Sequence, residues 1–237
     1  MKLLIIRHGE PCWGKDALTE KGKREAELLK DRLVQTPIDY FYCSPLTRAK
    51  ETAAPTLKAL GREAEICDWL REFPGKIAGE DDYPWDRMPA QLNGDDAYYD
   101  KDHWIDTPLY HSESIRNAYA AACEGLDALL ARHGYVHEGK IFRVTQANND
   151  TLAFFCHFGL ECVLLSHLLS LSPVALWHGF VALPSSVTVL ATEERENGIA
   201  AFRCNRFGDL SHLYVAGEAP SFHARFCETY ANENERH

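Results

Sequence analysis

The sequence predicts a layered α/β fold, on three observations. Apolar runs of strand length alternate with helix-length amphipathic segments over most of the 237 residues. Two of those runs, LLIIRHG at 3–9 and AFFCHFG at 153–159, end alike, in His followed by Gly at once or one residue later. Between Phe73 and Ser112 the alternation stops, which predicts an insertion into the layered core.

Taken in order, residues 2–6 read as a buried strand. Thr19 is placed to N-cap a helix to about Gln35, with Ala26, Leu29 and Leu33 on one face. Residues 39–43 (DYFYC) form a second short strand. Ser44 and Pro45 predict a helix start, Gly61 its stop and Pro55 a kink or break within it. Residues 63–67 read as a third strand. The segment 73–112 carries Tyr83, Trp85, Tyr98, Tyr99, Trp104 and Tyr110, too many aromatics for a disordered linker, so it is expected to lie as a lid over one end of the sheet. A helix follows from about Ser114 to His133, stopped by Gly134. Residues 140–145 and 151–156 read as strands joined in a hairpin at Asn148-Asn149-Asp150, and 186–192 with 199–205 as a hairpin through Asn197-Gly198. Between them, 160–171 is apolar nearly all round and predicts a buried helix ended by Pro173. The polar tail from Ala231 is expected to fray.

Composition narrows the function. A net charge of −10, with 35 acidic against 25 basic residues, offers no basic stripe for nucleic acid and no polybasic membrane patch. No stretch approaches membrane-span length, and Leu3–Ile6 is too short for a signal peptide. Eight scattered Cys without a CxxC read as reduced thiols, pointing to a cytoplasmic protein. HExxH is also absent, so the 11 His suggest no metal site by spacing; His178 and His212 read as structural.

An isolated His at a strand end is ordinarily structural. Here ligands of an open α/β sheet would bind beyond the carboxyl ends of the strands. Arg7 and His8, Arg48 in the helix after DYFYC, and His157 could therefore meet at one edge. Two Arg, two imidazoles and a helix N-terminus supply the bidentate donors, positive potential and nucleophile that a phosphate group requires.

RHGE at 7–10, LTEKGKREA at 18–26, YCSPLTRAKETA at 42–53 and HFG at 157–159 together resemble the histidine phosphatase superfamily, also called phosphoglycerate mutase-like. The resemblance implies a single domain over 1–237: a three-layer α/β/α sandwich with a central, mostly parallel sheet and the inserted lid at 73–112. By position it makes His8 the nucleophile that becomes phosphohistidine, with Arg7, Arg48 and His157 holding the phosphate of a small phosphomonoester and no metal or cofactor required. The proton donor would be a Glu in a Leu-x-Glu element, matched by Leu70-Arg71-Glu72, with Glu80 and Glu113 as rivals. The chain departs from the family at Gly14, where many members carry Asn, and at PGKIAGE (74–80), where a Trp-Glu-Gly is common. The loop Glu10–Ala17 is shorter than in mutase members. A phosphomutase and a non-catalytic phospholigand-binding protein are the alternatives. The many lid carboxylates suggest a monophosphate whose other end is aromatic, neutral or cationic.

Overall fold

The computed structural model describes residues 1–74 and 83–236. Its elements are β1 (Lys2–Arg7), α1 (Glu20–Leu33), β2 (Tyr40–Cys43), α2 (Thr47–Leu60), β3 (Glu65–Ile66), α3 (Pro89–Leu92), α4 (Glu113–Arg132), β4 (Tyr135–Glu138), β5 (Ile141–Val144), β6 (Thr151–Cys156), α5 (Phe158–Leu169), α6 (Pro173–Gly179), β7 (Val187–Glu196), β8 (Ile199–Asp209) and α7 (Ser211–Val215). The strands form one sheet in the order β3-β2-β6-β1-β7-β8-β5-β4. β3, β2, β6 and β1 are mutually parallel, and β7, β8, β5 and β4 continue as an antiparallel meander. Following those pairings, only β7 and β5 oppose the common strand direction, so the sheet is mostly parallel.

Period-2 burial of β1 builds the layers. Leu4 and Ile6 face Leu29 and Leu33 of α1 and Ala49 and Ala53 of α2. Leu3 and Ile5 face the opposite way, into a second cluster with α4, α5 and α6. Covering both faces removes the strand side chains from water at roughly 1.5–3 kcal/mol for each large aliphatic residue. The result is the expected α/β/α sandwich.

Local signals predict some boundaries well. Thr19 caps α1 through its hydroxyl, which accepts from Gly22 N at 3.0 Å. Gly61 ends α2 in the left-handed conformation, at φ 63°. Ser112 caps α4, and Gly134 follows it at φ 88°. The turn at Asn197-Gly198 joins β7 to β8 as predicted.

Three readings are corrected. Residues 140–145 and 151–156 are not a hairpin. β6 is buried at all six positions and lies between β1 and β2, whereas β5 pairs with β4 and β8. A strand buried on both faces belongs in the sheet interior, and the hairpin is instead β4–β5, turning at Gly139 with φ 68°. Ser44 does not cap α2; the helix starts at Thr47, whose N–H donates to Asp16 at 2.6 Å. Pro55 does not break α2, which runs on to Leu60. The hydrogen bond that Pro55 removes would have ended on the Glu51 carbonyl, near the half-exposed face of the helix where water can serve it.

The lid is built from short turns, α3 and the 3₁₀ segments Asp96–Tyr99 and Trp104–Asp106. Tyr98, Trp104 and Tyr110 are buried against one another and against Trp177 of α6, so these aromatics pack as core. The C-terminal tail from Ala231 is exposed turn and bend, with one isolated bridge between Glu228 and Arg236. No described helix is long and apolar enough to cross a membrane.

Candidate active site

β1 and β6 run parallel in register from Lys2↔Thr151 to Arg7↔Cys156. The next residue of each strand is therefore His8 and His157, which stand side by side with ring centroids 5.1 Å apart. The repeated apolar-His-Gly pattern thus marks two neighbouring strand ends. Gly9 permits the turn away from β1 at very close range, since a Cβ there would lie 2.6 Å from the Gly22 carbonyl oxygen. Gly22 has the reciprocal constraint, 2.3 Å from the Glu10 oxygen. LTEKGKREA therefore carries a glycine where the first turn of α1 meets the chain leaving β1.

His8 is buried, and its Nδ1 lies 2.7 Å from the Gly9 carbonyl oxygen. A carbonyl only accepts, so Nδ1 carries the proton and Nε2 carries the lone pair. Burial, with the charges of Arg7 and Arg48, holds the His8 pKa well below 6.5. His157 is likewise held well below 6.5 by burial, His8 and the two Arg. Both imidazoles are neutral at pH 7. His157 Nε2 meets the Ser44 hydroxyl at 2.8 Å, while its buried Nδ1 has no hydrogen-bond partner among the described residues.

Arg7 donates from Nη1 to the Ala182 carbonyl at 2.6 Å and lies over the Phe158 ring at 5.4 Å. Its Nε is buried without a hydrogen-bond partner among the described residues. Burial lowers its pKa to about 10, still charged at pH 7. Arg48 donates to Asp16 Oδ1 at 2.9 Å. Asp16 also accepts from the N–H groups of Thr47 and Arg48, so one carboxylate caps α2 from outside and aims the guanidinium. Burial opposes the ionisation of Asp16, but those N–H groups and the Arg48 charge carry its pKa below the usual value.

Glu72 lies within electrostatic reach of Arg48 and Arg7. Its Oε1 accepts from Phe73 N at 2.8 Å and from Leu160 N, in the first turn of α5, at 3.0 Å. Burial raises its pKa, against the pull of the two Arg and the two N–H groups. Gly159 leaves room for this, because a Cβ there would fall 2.8 Å from Oε1 and 2.5 Å from Trp85 Cδ1. Glu113, by contrast, is exposed in the first turn of α4, and Glu80 lies outside the described residues. Of the lid carboxylates, Asp95, Asp96, Asp100, Asp102 and Asp106 are exposed; Asp100 pairs with His103 and Asp106 with Arg116.

The sequence did not signal several supporting residues. Ser44 was legible only as a helix cap, and Asp16 carries no motif. Glu161 is buried in α5, close enough to Arg7 to compensate its charge. The nearby Thr188 hydroxyl lowers the Glu161 pKa without reaching hydrogen-bond geometry, and burial dominates, raising it to about 7. This pKa sets a pH dependence. Below about 4.5 the carboxyl is protonated folded or unfolded; as pH rises from 4.5 through 7, the unfolded state loses its proton first and stability falls. Glu161→Gln is therefore expected to stabilise the fold relative to wild type more at pH 8 than at pH 5, by an amount on the order of 2–3 kcal/mol of unfolding free energy, seen as a larger rise in melting temperature at pH 8. An equal difference at both pH values in thermal melts would contradict it.

The sequence pattern of the Histidine phosphatase superfamily (branch 1) matches residues 3–205. The chain belongs to this superfamily. A Schizosaccharomyces pombe protein named as a probable phosphatase is 37% identical over 229 residues, covering 90% of this chain and 95% of its own. Phosphoserine phosphatase 1 of Hydrogenobacter thermophilus is 25% identical over 228 residues, 91% and 97% of the two chains. Among solved structures, an Entamoeba histolytica phosphoserine phosphatase shares the fold at a TM-score of 0.62 and 21% identity, over 90% of this chain and 98% of its own. Membership of the histidine phosphatase superfamily supports a phosphatase-type hydrolase activity in general.

Proposed function

We propose that this histidine phosphatase superfamily member is a metal-independent phosphomonoesterase that turns over through a phosphohistidine on His8. The observation that carries the reading is the pairing of two neutral, buried imidazoles 5.1 Å apart beside Arg7, with His157 Nδ1 and Arg7 Nε both lacking hydrogen-bond partners among the described residues. Such buried polar atoms are costly unless an acceptor meets them, and a phosphate oxygen is one.

In the first half-reaction the lone pair on His8 Nε2 forms a bond to phosphorus in line with the ester oxygen. The P–O bond breaks, and the departing alkoxide takes a proton from Glu72. Glu72 holds Oε1 on two N–H groups, which leaves Oε2 to exchange the proton. Gly9 holds the Nδ1 proton throughout, stabilising the charge that His8 gains. In the second half-reaction the Glu72 carboxylate takes a proton from water, the oxygen attacks phosphorus, and the N–P bond breaks to return neutral His8. Arg7, Arg48 and His157 stabilise the equatorial oxygens in both transition states. Small phosphorylated metabolites are the substrate class.

Beyond Arg7 stands an aromatic wall: Phe158, then Phe226 of the tail at 5.1 Å, then Trp85 at 6.1 Å. This wall favours a monophosphate whose other end is aromatic, neutral or cationic. Support for that substrate end rests on the wall and not on the solvent-facing lid carboxylates. The test is inorganic phosphate release from p-nitrophenyl phosphate and a panel of phosphomonoesters and bisphosphates, with EDTA present. Free phosphate is expected. Phosphate that only moves within the substrate would make the protein a mutase, no turnover would make it a binding protein, and a bisphosphate far ahead of every monophosphate would overturn the substrate end.

A further inference from the structure

We propose that Asp127, His137 and His167 form a second site, remote from His8, that binds a divalent transition-metal ion of the zinc class. The three residues come from α4, β4 and α5, and their ligand atoms all lie within 4.8 Å of one another. His167 Nε2 is 2.8 Å from Asp127 Oδ1, and His137 Nδ1 is 3.2 Å from Asp127 Oδ2. Two tetrahedral ligands, each about 2.1 Å from a zinc ion, lie about 3.4 Å apart. The two Asp127–imidazole distances fall only a few tenths of an ångström short of that spacing, and the three ligand atoms already lie within 4.8 Å of one another.

The surroundings hold this geometry. His137 stacks on Phe142 at 4.7 Å, and His167 meets the His137 ring edge-on at 4.4 Å. Side-chain exposure is 12% for His167, 18% for His137 and 32% for Asp127, so the imidazoles are sheltered while the carboxylate side remains open to water. A metal there would keep one or more coordination positions for water.

In the metal-free protein both ring nitrogens facing Asp127 share protons with its oxygens. Binding needs their lone pairs, and a neutral imidazole meets that need by moving its proton to the opposite ring nitrogen. Two nitrogens and one oxygen select zinc, cobalt or nickel over the hard ions magnesium and calcium. Cys123 stands one helical turn before Asp127, but burial pushes its thiol up to about 12, so it offers no ready thiolate.

The site is separated from the phosphate chemistry. His167 lies ten residues beyond His157 along α5, about 15 Å at 1.5 Å per residue. A bound ion would instead tie the edge strand β4 to the two helices behind it. The inference is independent of the hydrolytic reading.

The test uses the full-length, metal-stripped protein. Zinc titration by calorimetry is expected to give one equivalent in wild type and in His8→Ala, and binding at least ~10-fold weaker in His167→Gln and in Asp127→Asn. Melting temperature is expected to rise with zinc in wild type and to fall back with EDTA. No zinc binding by wild type would overturn the proposal, as would loss of the equivalent in His8→Ala or its survival in both site variants. Cobalt(II) in wild type decides the matter independently of how the variants fold. Visible d–d bands without thiolate charge transfer support the N,N,O site; thiolate charge transfer assigns the ion to cysteine and overturns it.

Discussion

His8→Ala is expected to lower phosphate release by at least about 10³-fold, with p-nitrophenyl phosphate and with any natural monoester. The variant removes the imidazole whose Nδ1 the Gly9 carbonyl fixes, while Arg7, Arg48 and His157, the proposed phosphate ligands, remain. Two further readouts accompany the loss. Rapid alkaline quench of wild type during turnover should trap an acid-labile phosphoryl group on the protein, and the variant should show none. Vanadate or phosphate should still protect the variant against thermal unfolding. Release within tenfold of wild type in a folded variant would remove His8 as nucleophile.

The second large effect is expected at Glu72→Gln. For alkyl phosphates the leaving alkoxide needs a proton, and loss of the acid should cost on the order of 10²–10⁴ in kcat. For p-nitrophenyl phosphate the leaving phenolate is stable without it, so the first half-reaction should survive and the second become limiting. A burst of p-nitrophenol followed by slow turnover is the expected trace. The pH profile gives the sign. Burial raises the Glu72 pKa, so the acid needed for the first half-reaction persists to higher pH than an ordinary carboxyl and is lost as pH rises through the raised value. Burial and the two Arg lower the His8 pKa, so the nucleophile stays neutral well below pH 6.5 and is lost only as pH falls through the lowered value. Wild-type kcat for alkyl phosphates should therefore fall on the alkaline side. The Gln variant should lack that alkaline limb. An unchanged alkaline limb in Glu72→Gln would assign the acid elsewhere.

Much of this site was legible because its residues sit in local patterns. The end of each strand carries its own signal, and the parallel pairing of β1 with β6 converts two separate His-Gly turns into one pair of rings. The Thr19 cap was legible for the same reason, since it acts within its own helix, whereas the Ser112 cap stands two residues before the predicted start of α4. What escaped was non-local. Asp16 caps α2 from a loop 31 residues away, and nothing in KDALTE announces it. The β5–β6 misreading has a similar origin. Asn148-Asn149-Asp150 has hairpin chemistry, and Asp150 N does donate to Asn148 Oδ1 at 3.1 Å, but a turn specifies a change of direction and not the partner of the next strand. TLAFFC, buried at every position, carried the better signal. The lid aromatics divide in the same way: composition marked them as ordered, while only tertiary packing separates Tyr98, Trp104 and Tyr110 in the core from Trp85 beside Glu72.

The strand order also governs how the chain is made. β1 has β6 and β7 as its neighbours and no earlier partner. During synthesis Leu3–Ile6 must wait for some 150 further residues, roughly 8–30 s at usual elongation rates. Through that interval an apolar tetrapeptide with two open edges is presented to the cell, a sticky segment in search of any strand. The two central imidazoles can meet only once the sixth strand has left the ribosome.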